Sequence, residues 1–493
     1  MQASQRRGPG RRAAFLATLP VMAPMLAAAM AAPALADDLR EALISAYRTN
    51  PTLQAARADQ RATDEQVPIE RSAGLPSARV QGQYTEFVKK SENSFTSPDR
   101  ALTADATLSV PLYSGGAVRN SVRAAKTRVE AGQQDLRATE SAVFSQVVAA
   151  YMDVILNQAL VGLTRNNVDV LSVNLQATSD RFEIGDLTRT DVAQSQARLA
   201  LARGDARTAE ANLAGARERY IAVVGQVPAD LEPPPPLPNL PETAEEAVAV
   251  ALAGNPDLLA ARERSKAAGY DVKVAGSGRL PRVSVFTGGN YSDYFDTLGG
   301  TSSNAFSQQE KTAQVGVSAS IPLFQGGLPA AQRRQAQARE GAALEQEIGV
   351  ERDVIAQTRA AFSSWQAANE LIASNRTAVE AATLGLEGVR AENSVGNRTI
   401  LDILDAEREL LQAQVQLVTA RRNAYVAGFT LLAAMGKAEA RDLGLDGGPL
   451  YDPDVNYRRV RGKWFDWESD PAPQAQSTRT VDTPVQDGSI RDR

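Results

Sequence analysis

The sequence offers few kinds of side chain for catalysis or for binding a metal or cofactor. Its 493 residues include no cysteine and no histidine, which excludes Cys/His metal sites, iron–sulfur clusters, disulfides, thiol nucleophiles and Ser-His-Asp triads. The sequence also lacks a G-x-x-x-x-G-K-[ST] phosphate-binding loop. Only carboxylate, hydroxyl, lysine and arginine side chains remain, so we expect no enzymatic activity, no cofactor and no bound metal.

The most suggestive carboxylates lie in two matched segments, GDLTRTD and GNRTILD, which begin at Gly185 and Gly396. In each segment the glycine is expected to end one helix, and a threonine is expected to cap the next. Asp191 and Asp402 follow that threonine by three residues, where a carboxylate meets free N–H groups and the positive end of the helix dipole. Helix capping alone is therefore a sufficient explanation for both aspartates.

Asp405 has no such explanation, because its counterpart in the first segment's helix is Gln194. Asp402 and Asp405 are three residues apart and share one face of a helix. Around a three-fold axis this pair would form two rings of carboxylates, which select cations and repel anions at a constriction. Crowding of like charges is expected to raise the pKa of some of these carboxyl groups.

The sequence is an internal duplication. The motif N-P-x-L-x-A-A-R begins at Asn50 and recurs 205 residues later at Asn255. A second motif, P-L-x-x-G-G, begins at Pro111 and recurs 211 residues later at Pro322, and this offset then holds to Gly436. The predicted organisation is a first repeat at 37–232, a Pro-rich linker at 233–241, a second repeat at 242–446 and a polar, disordered tail at 447–493.

Each copy contains two segments in which apolar and polar residues alternate, which predicts β-strands. The clearest run over residues 101–110 and 313–321, and weaker ones begin at Val80 and Val283. Period two over about ten residues is typical of a strand that crosses an outer membrane, although an ordinary half-exposed hairpin gives the same pattern. Long polar loops between the paired segments favour the membrane. Proline marks the predicted strand–helix junctions, at Pro76, Pro111, Pro281 and Pro322.

Long helices follow the strands. Residues 116–182 carry apolar side chains at seven-residue intervals, which indicates coiled-coil packing over about 100 Å. No segment after the N-terminus approaches the ~20 apolar residues of a transmembrane helix, so a spanning chain would have to use its strands. Four strands cannot close a barrel, whereas two chains would supply eight strands and three would supply twelve.

The first 36 residues are predicted to be an export signal. Four arginines precede an apolar run that ends in Ala34-Leu35-Ala36, which is the arrangement of a signal peptide with its cleavage site. An uncleaved membrane anchor is the alternative, and three prolines within the run disfavour it. The mildly acidic pI near 5.3 gives no reason to expect nucleic acid as a partner.

Taken together, these motifs resemble the TolC family of Gram-negative outer-membrane channels. The resemblance covers residues 38–446 and rests on the doubled N-P-x-L-x-A-A-R, the L-P before a strand, the P-L-x-x-G-G after one, and SVGNRTILDILDAE from Ser394. It implies a mainly α protein with a small β part. Three chains, with four strands each, would share a twelve-stranded outer-membrane barrel, which continues into a long coiled-coil helical barrel in the periplasm and an equatorial belt around the linker.

The function that this resemblance implies is a passive exit duct for efflux or type I secretion, gated at its periplasmic tip. Asp402 and Asp405 would line the aperture there, and the turns at Gly185 and Gly396 would receive an adaptor. The implied partners are two further copies of the chain, a periplasmic adaptor protein, an inner-membrane RND pump or ABC transporter, and outer-membrane lipid. The cargo is left open.

A set of gate latches follows from the same resemblance. Arg398 would bind Thr190, and Asp191 would bind the residue at position 393. The family commonly has tyrosine at that position, whereas this chain has Asn393, and whether the change loosens the closed state is left open. The plain alternative for Arg398 is a solvated turn residue.

Two other classes of protein share parts of this pattern. A periplasmic adaptor of the same systems also carries long helical hairpins, but it typically has one hairpin and no barrel strands. An exported hydrolase could use two carboxylates about 5–10 Å apart, as Asp402 and Asp405 could be. The sequence shows neither a cleft-forming domain nor an aromatic platform for a sugar.

Overall fold

The computed structural model describes residues 38–90, 96–445 and 449–490. The predicted signal peptide at residues 1–36 lies outside the described residues. The described chain is mainly helical with one small antiparallel sheet, as the sequence predicts. Both repeats contain short helices, a β-hairpin and a long helical hairpin, in that order.

The first repeat comprises α1 Leu39–Thr49, α2 Pro51–Asp64, α3 Gln66–Ser72, β1 Ser77–Glu86, β2 Arg100–Ser114, α4 Ala117–Glu183 and α5 Arg189–Val224. The second comprises α6 Ala244–Gly254, α7 Pro256–Gly276, β3 Arg282–Asp293, β4 Gln309–Ser320, α8 Leu328–Ser394 and α9 Ile400–Ala434. Short 3-10 turns lie at Ser277–Arg279 and Gly300–Ala305, and α10, Pro453–Val460, follows the second repeat.

The helical segment before each β-hairpin is interrupted at an Asn-Pro pair. Asn50 ends α1, and its carboxamide oxygen accepts hydrogen bonds from two backbone N–H groups in the first turn of α2. Asn255 starts α7 in the same way. Each asparagine is followed by a proline, which has no N–H to continue the preceding helix but fits the first turn of a new one.

The sheet has the strand order β1-β2-β3-β4, and all neighbours are antiparallel. Its apolar face contains Val110, Val285 and Val317, which are direct cross-strand partners. On the same face, Val80 and Val315 are 80% and 79% exposed in the single chain. Because side chains alternate between the faces of a strand, the opposite face carries the polar residues.

Pro111 lies inside β2 rather than at its end, where the sequence placed it. The strand continues to Ser114, and its pairing with β3 shifts register between Pro111 and Tyr113. A proline is tolerated at such an irregularity because a ladder hydrogen bond is already missing there. The other junction prolines, Pro76, Pro281 and Pro322, lie just outside the strands.

The main hydrophobic core lies where α4 passes the ends of α1, α5 and α9. Phe144, Val147 and Tyr151 of α4 are fully buried there, with Leu213 of α5 and Phe429 of α9. Contrary to the expectation from sequence, α4 contains a stretch of residues that is apolar and long enough to cross a membrane. Part of this stretch is buried against other helices, as in the core helix of a soluble protein.

Part of the polar tail forms a helix, α10, and contacts the body of the protein, which the prediction of disorder from composition did not include. Tyr457 of α10 packs beside the cluster of Val67, Ala125 and Val129. The side-chain amide of Asn456 donates to the buried carboxylate of Asp64 over 2.7 Å. Because hydrogen bonds to the body of the protein hold this segment, its low apolar content does not reveal its order.

A buried ionic cluster connects the tail to α2 and α4. Arg57 is only 6% exposed and lies between the rings of Tyr47 and Tyr451, at 4.4 and 5.0 Å from their centroids. Glu140 of α4 accepts a 2.7 Å hydrogen bond from the backbone N–H of Ala440. Burial raises the pKa of Glu140, although the Ala440 N–H and the charge of Arg57 act in the opposite direction.

We expect Glu140→Gln to gain stability, relative to the unchanged protein, as the pH rises. Because the folded-state pKa of Glu140 is raised, the stability that its proton provides is present below the ordinary value of about 4.3 and is lost as the pH rises through the folded value. Glutamine does not titrate. The difference in melting temperature, variant minus unchanged protein, should therefore be more positive at about pH 8 than at about pH 4.

Differential scanning fluorimetry in detergent measures this difference. Glu351→Gln is the matched control, since Glu351 holds the corresponding position of the second repeat, where its side chain is 46% exposed and lies 4.0 Å from Arg262. A difference for Glu140→Gln that is constant or falls with pH would contradict the prediction.

Candidate functional site

Each long helical hairpin ends in a tight turn built by a glycine. Gly185 and Gly396 have φ angles of +85° and +84°, in the left-handed region that glycine adopts without strain. Their N–H groups donate to the carbonyl oxygens of Phe182 and Asn393 over 3.0 Å in both cases, which satisfies free carbonyl groups at the helix end. The two tips are thus one structure built twice.

A threonine starts the second helix of each tip. The hydroxyl groups of Thr188 and Thr399 accept a hydrogen bond from the N–H of Asp191 or Asp402 over 3.3 Å and donate to its carboxylate over 2.7 Å. The carboxylates also accept from the threonine N–H groups, over 2.9 and 2.8 Å. Both aspartates are therefore reciprocal helix caps.

The caps lower the pKa of both carboxyl groups. The hydroxyl and N–H of Thr188 hold the pKa of Asp191 below its ordinary value, and the N–H and hydroxyl of Thr399 do the same for the pKa of Asp402. For Asp402 and Asp405, the sequence predicted that crowding of like charges in three-fold rings would raise some of these pKa values, and this stays a prediction for the assembled protein. Within one chain, Asp402 faces a helix N-terminus and Arg398, 4.0 Å away, rather than another carboxylate.

The predicted latch residues make other contacts within a single chain. Arg398 donates through Nε to Glu392 over 2.7 Å, rather than to Thr190. The side-chain amide of Asn393 donates to the carbonyl oxygen of Arg398 over 2.7 Å, while Asp191 is occupied by its cap. The latches therefore stay a prediction for the assembled protein.

Asp405 has a cationic partner that sequence reasoning missed. Arg198 of α5 donates through Nη2 to Oδ1 of Asp405 in α9 over 2.8 Å, and Arg408 lies 3.8 Å from the same oxygen. The side chain of Asp405 is 47% exposed, and that of Arg198 is 29% exposed. This ion pair joins the first helical hairpin to the second, and it offsets part of the charge that Asp405 would bring to an aperture.

Glu407 is the buried centre of the tip. Its side chain is 5% exposed, and both of its carboxylate oxygens accept from Nδ2 of Asn174, over 2.8 and 2.9 Å. Nη2 of Arg390 donates to Oε1 of Glu407 over 3.0 Å. One carboxylate thus connects α4, α8 and α9, and the hydrogen bonds compensate for its removal from water.

A signal for Glu407 was present in the sequence. Ile400, Leu404, Glu407 and Leu411 follow the 4-3-4 spacing of a coiled-coil seam, so this glutamate occupies a position that normally packs against a neighbour. Leu404 indeed packs with Leu171 of α4. Its seam position predicts burial, but the identity of the partners does not follow from spacing.

The described residues offer no metal site. Nowhere in them are three or more histidine, cysteine, aspartate or glutamate side chains placed to hold a metal ion. The tip instead distributes its carboxylates among helix caps and ion pairs. This arrangement can hold the helices together and can present charge to a passing solute, but it offers no acid–base pair in a closed cleft.

The chain is similar to known outer membrane proteins over most of its length. The outer membrane efflux protein family matches residues 43–226 and 247–437. The outer membrane efflux protein BepC of Brucella suis is 35% identical over 433 residues, which cover 88% of this chain and 92% of BepC. The outer membrane protein TolC of Vibrio cholerae is 27% identical over 83% of this chain and 92% of its own length.

A solved structure shares the fold. The outer membrane protein VceC of Vibrio cholerae superposes with a TM-score of 0.69 at 23% identity, and the match covers 81% of this chain and 96% of VceC. The two family matches fall on the two repeats, with the Pro-rich segment at 233–241 in the gap between them.

We expect Glu407→Gln to loosen the tip without unfolding the protein. The substitution removes the negative charge that Arg390 and Asn174 share, at a local cost of about 1–3 kcal/mol, which corresponds to roughly 5- to 150-fold faster amide exchange. Hydrogen–deuterium exchange should show the increase in peptides covering residues 167–180 and 385–411. Glu409→Gln, two residues away on the exposed face of α9, is the control, and equal exchange in the two variants would contradict the assignment.

Proposed function

The chain belongs to the outer membrane efflux protein family, and from this premise we propose that three copies assemble into one passive exit duct. It is a TolC-type channel of the Gram-negative outer membrane, for efflux or type I secretion. The copies would share a twelve-stranded barrel in the membrane and a helical barrel that extends into the periplasm. The observation that carries this proposal is a four-stranded sheet with two free edges.

Two features of the sheet support closure by neighbouring chains. The free edges, β1 and β4, expose unpaired backbone N–H and C=O groups, each of which costs several kcal/mol in lipid. Since the sheet has an even number of antiparallel strands, β4 of one copy can pair antiparallel with β1 of the next. Three copies reach twelve strands, which is within the range of membrane barrels.

The long helices support the same assembly. Helices α4 and α8 are both 67 residues long, yet α4 buries eighteen residues in the single chain and α8 buries five. Leu371 and Leu384 of α8 are 54% and 71% exposed. Helix α4 packs against α7 of the other repeat as well as its own α2 and α3. By the duplication, α2 and α3 of the next copy are the missing neighbours of α8.

The assembly can be tested directly, because the chain has no native cysteine. Gln81→Cys in β1 is combined in turn with a cysteine at Glu310, Thr312, Gln314 or Ser318 in β4. Oxidation of the purified protein should produce, for at least one pair, a ladder of crosslinked chains that stops at three. A ladder that stops at two, or that continues beyond three, would contradict the trimer.

A matched control uses the pairing within one chain. Gln81 and Asp105 are cross-strand partners in β1 and β2, so the variant with cysteines at both positions should crosslink only within single chains. It therefore reports whether oxidation alone causes crosslinks between chains.

The energy for export would come from partner proteins. The sequence has no nucleotide-binding motif, so a periplasmic adaptor and an inner-membrane RND pump or ABC transporter would supply it. The exposed turns at Gly185 and Gly396 are the proposed adaptor contacts. Opening would require the helical hairpins to move apart, which the Arg198–Asp405 ion pair opposes.

Asp402 and Asp405 are the proposed lining of the periplasmic aperture. Asp405→Ala should weaken cation selectivity, measured as the reversal potential in a KCl gradient across a planar bilayer. Arg198→Ala removes the cation beside Asp405 and should raise selectivity. A charge at about 4 Å in water is worth about 1 kcal/mol, so we expect changes of up to roughly fivefold in the permeability ratio.

Asp402 needs a separate control because it is also a helix cap. Asp402→Ala removes a helix cap as well as a charge, whereas Asp191→Ala removes only the equivalent cap of the first hairpin. The aperture therefore accounts only for the loss of selectivity by which Asp402→Ala exceeds Asp191→Ala. If Asp405→Ala and Arg198→Ala shift the reversal potential in the same direction, Asp405 does not act through its charge.

A further inference from the structure

A basic cavity lies where α3, α4, β2 and the tail meet. Its volume is about 1070 Å³. No aspartate or glutamate is among the described residues that line it, whereas five cationic side chains are: Arg71, Arg119, Arg123, Lys126 and Arg461. Arg123 and Lys126 also line a neighbouring cavity that contains glutamates, but the described lining of this cavity itself carries five cations and no carboxylate. Such a lining attracts an anion, and multiple arginines favour a phosphate group.

The cavity opens beside the membrane-facing side of the sheet. Leu112 and Tyr113, at the end of β2, line it and are 62% and 49% exposed. Tyr113 pairs with Val283, which lies two residues from Val285 and therefore on the apolar face. The bulge at Pro111 thus turns Tyr113 towards the face that the proposed barrel presents to lipid.

Residues 463–468, here called the aromatic turn, follow Arg461 and Gly462, the last residues in the chain that line the cavity. Its base is closed by ion pairs, Arg459 with Asp470 over 2.7 Å and Lys463 with Glu468 over 3.2 Å. At its apex, Trp464, Phe465 and Trp467 are 68%, 60% and 91% exposed. Tryptophan side chains prefer the headgroup level of a membrane, where the ring is partly out of water and its N–H can still donate a hydrogen bond.

The duplication provides an internal comparison for the basic cavity. In the second repeat, the positions that correspond to Arg71, Arg119, Arg123 and Lys126 are held by one arginine and three uncharged residues: Gly276, Ala330, Arg334 and Gln337. The second repeat therefore keeps only one of these four cations at the corresponding positions, and the four occur together only in the repeat on which the tail packs.

We propose that the basic cavity and the aromatic turn form a binding site for an anionic phospholipid of the periplasmic leaflet of the outer membrane. The cations contact the headgroup phosphate, and the tryptophans enter the headgroup region beside it. Charge complementarity and continuity with the apolar face of the sheet favour lipid over another occupant. The inference rests on the proposed placement of the sheet in the bilayer.

The tryptophans themselves provide the measurement. The chain has three tryptophans, and the partly buried Trp365 packs on Phe362, 5.9 Å between ring centroids. Trp365→Phe therefore leaves only the two reporters in the aromatic turn. This variant is reconstituted at full length into phosphatidylethanolamine vesicles that contain phosphatidylglycerol brominated near the glycerol backbone, since bromine quenches tryptophan on contact.

The expected result is a blue-shifted emission that the brominated phosphatidylglycerol quenches by half or more. In the same background, Arg119→Gln/Arg123→Gln/Lys126→Gln should reduce the quenching at least twofold. Arg352→Gln/Arg359→Gln/Arg376→Gln, which removes three exposed cations from α8 further from the sheet, is the control for loss of positive charge and should leave the quenching unchanged. Brominated phosphatidylcholine should quench less than the anionic lipid.

Three results would overturn the proposal. Emission typical of water, without quenching, places the turn in solvent, and blue-shifted emission without quenching means that another copy of the chain covers it. Protection from quenching by added inorganic phosphate indicates a site for free anions. Ion conductance of the same vesicles separates the two proposals, because a conducting channel without quenching contradicts the lipid site alone.

Discussion

The interior of a membrane contains no water to form hydrogen bonds with unpaired backbone N–H and C=O groups. This constraint governs the structure because the four-stranded sheet has two free edges. The apolar face shown by Val110, Val285 and Val317 suits lipid, but β1 and β4 still carry unpaired N–H and C=O groups. No rearrangement within one chain can pair these edges, because four strands are too few to close on themselves. The need for neighbours therefore arises in the sheet and extends to the helices.

The duplication explains how the helices meet the same need. Each repeat contains a stack of shorter helices and a hairpin of two long helices. In the proposed trimer, the contact between α4 and α7 within a chain has its counterpart between α8 and the short helices of the next chain, which would cover the exposed surface of α8. Departures from the duplication are equally informative: Asp405 in place of Gln194, the cationic cluster around Arg123, and the tail that packs on the first repeat alone all occur once per chain. These features distinguish one repeat from the other within an otherwise duplicated chain.

Within a single chain, the carboxylates of the tip already have hydrogen-bond or ion-pair partners. Asp191 and Asp402 are bound by their caps, Asp405 by Arg198 and Glu407 by Arg390 and Asn174. The tip therefore consists of carboxylates whose partners come from two hairpins. Movement of one hairpin against the other would separate Arg198 from Asp405 and expose more of that carboxylate, which couples the width of the tip to its charge.

The sequence by itself determined the repeats, the four strands, the long helices and the capped turns, since each depends on neighbours within a few residues: alternation for strands, seven-residue spacing for α4, and T-x-x-D for the caps. It also placed Asp402 and Asp405 on one face. The tertiary structure alone decided the partners of Asp405 and Glu407. These partners, Arg198 and Asn174, are separated from them by 207 and 233 residues in the sequence. It also decided the order of the tail, because hydrogen bonds such as that between Asn456 and Asp64 join segments 392 residues apart. Local spacing cannot encode which distant side chain completes a buried charge, because that depends on how whole helices pack.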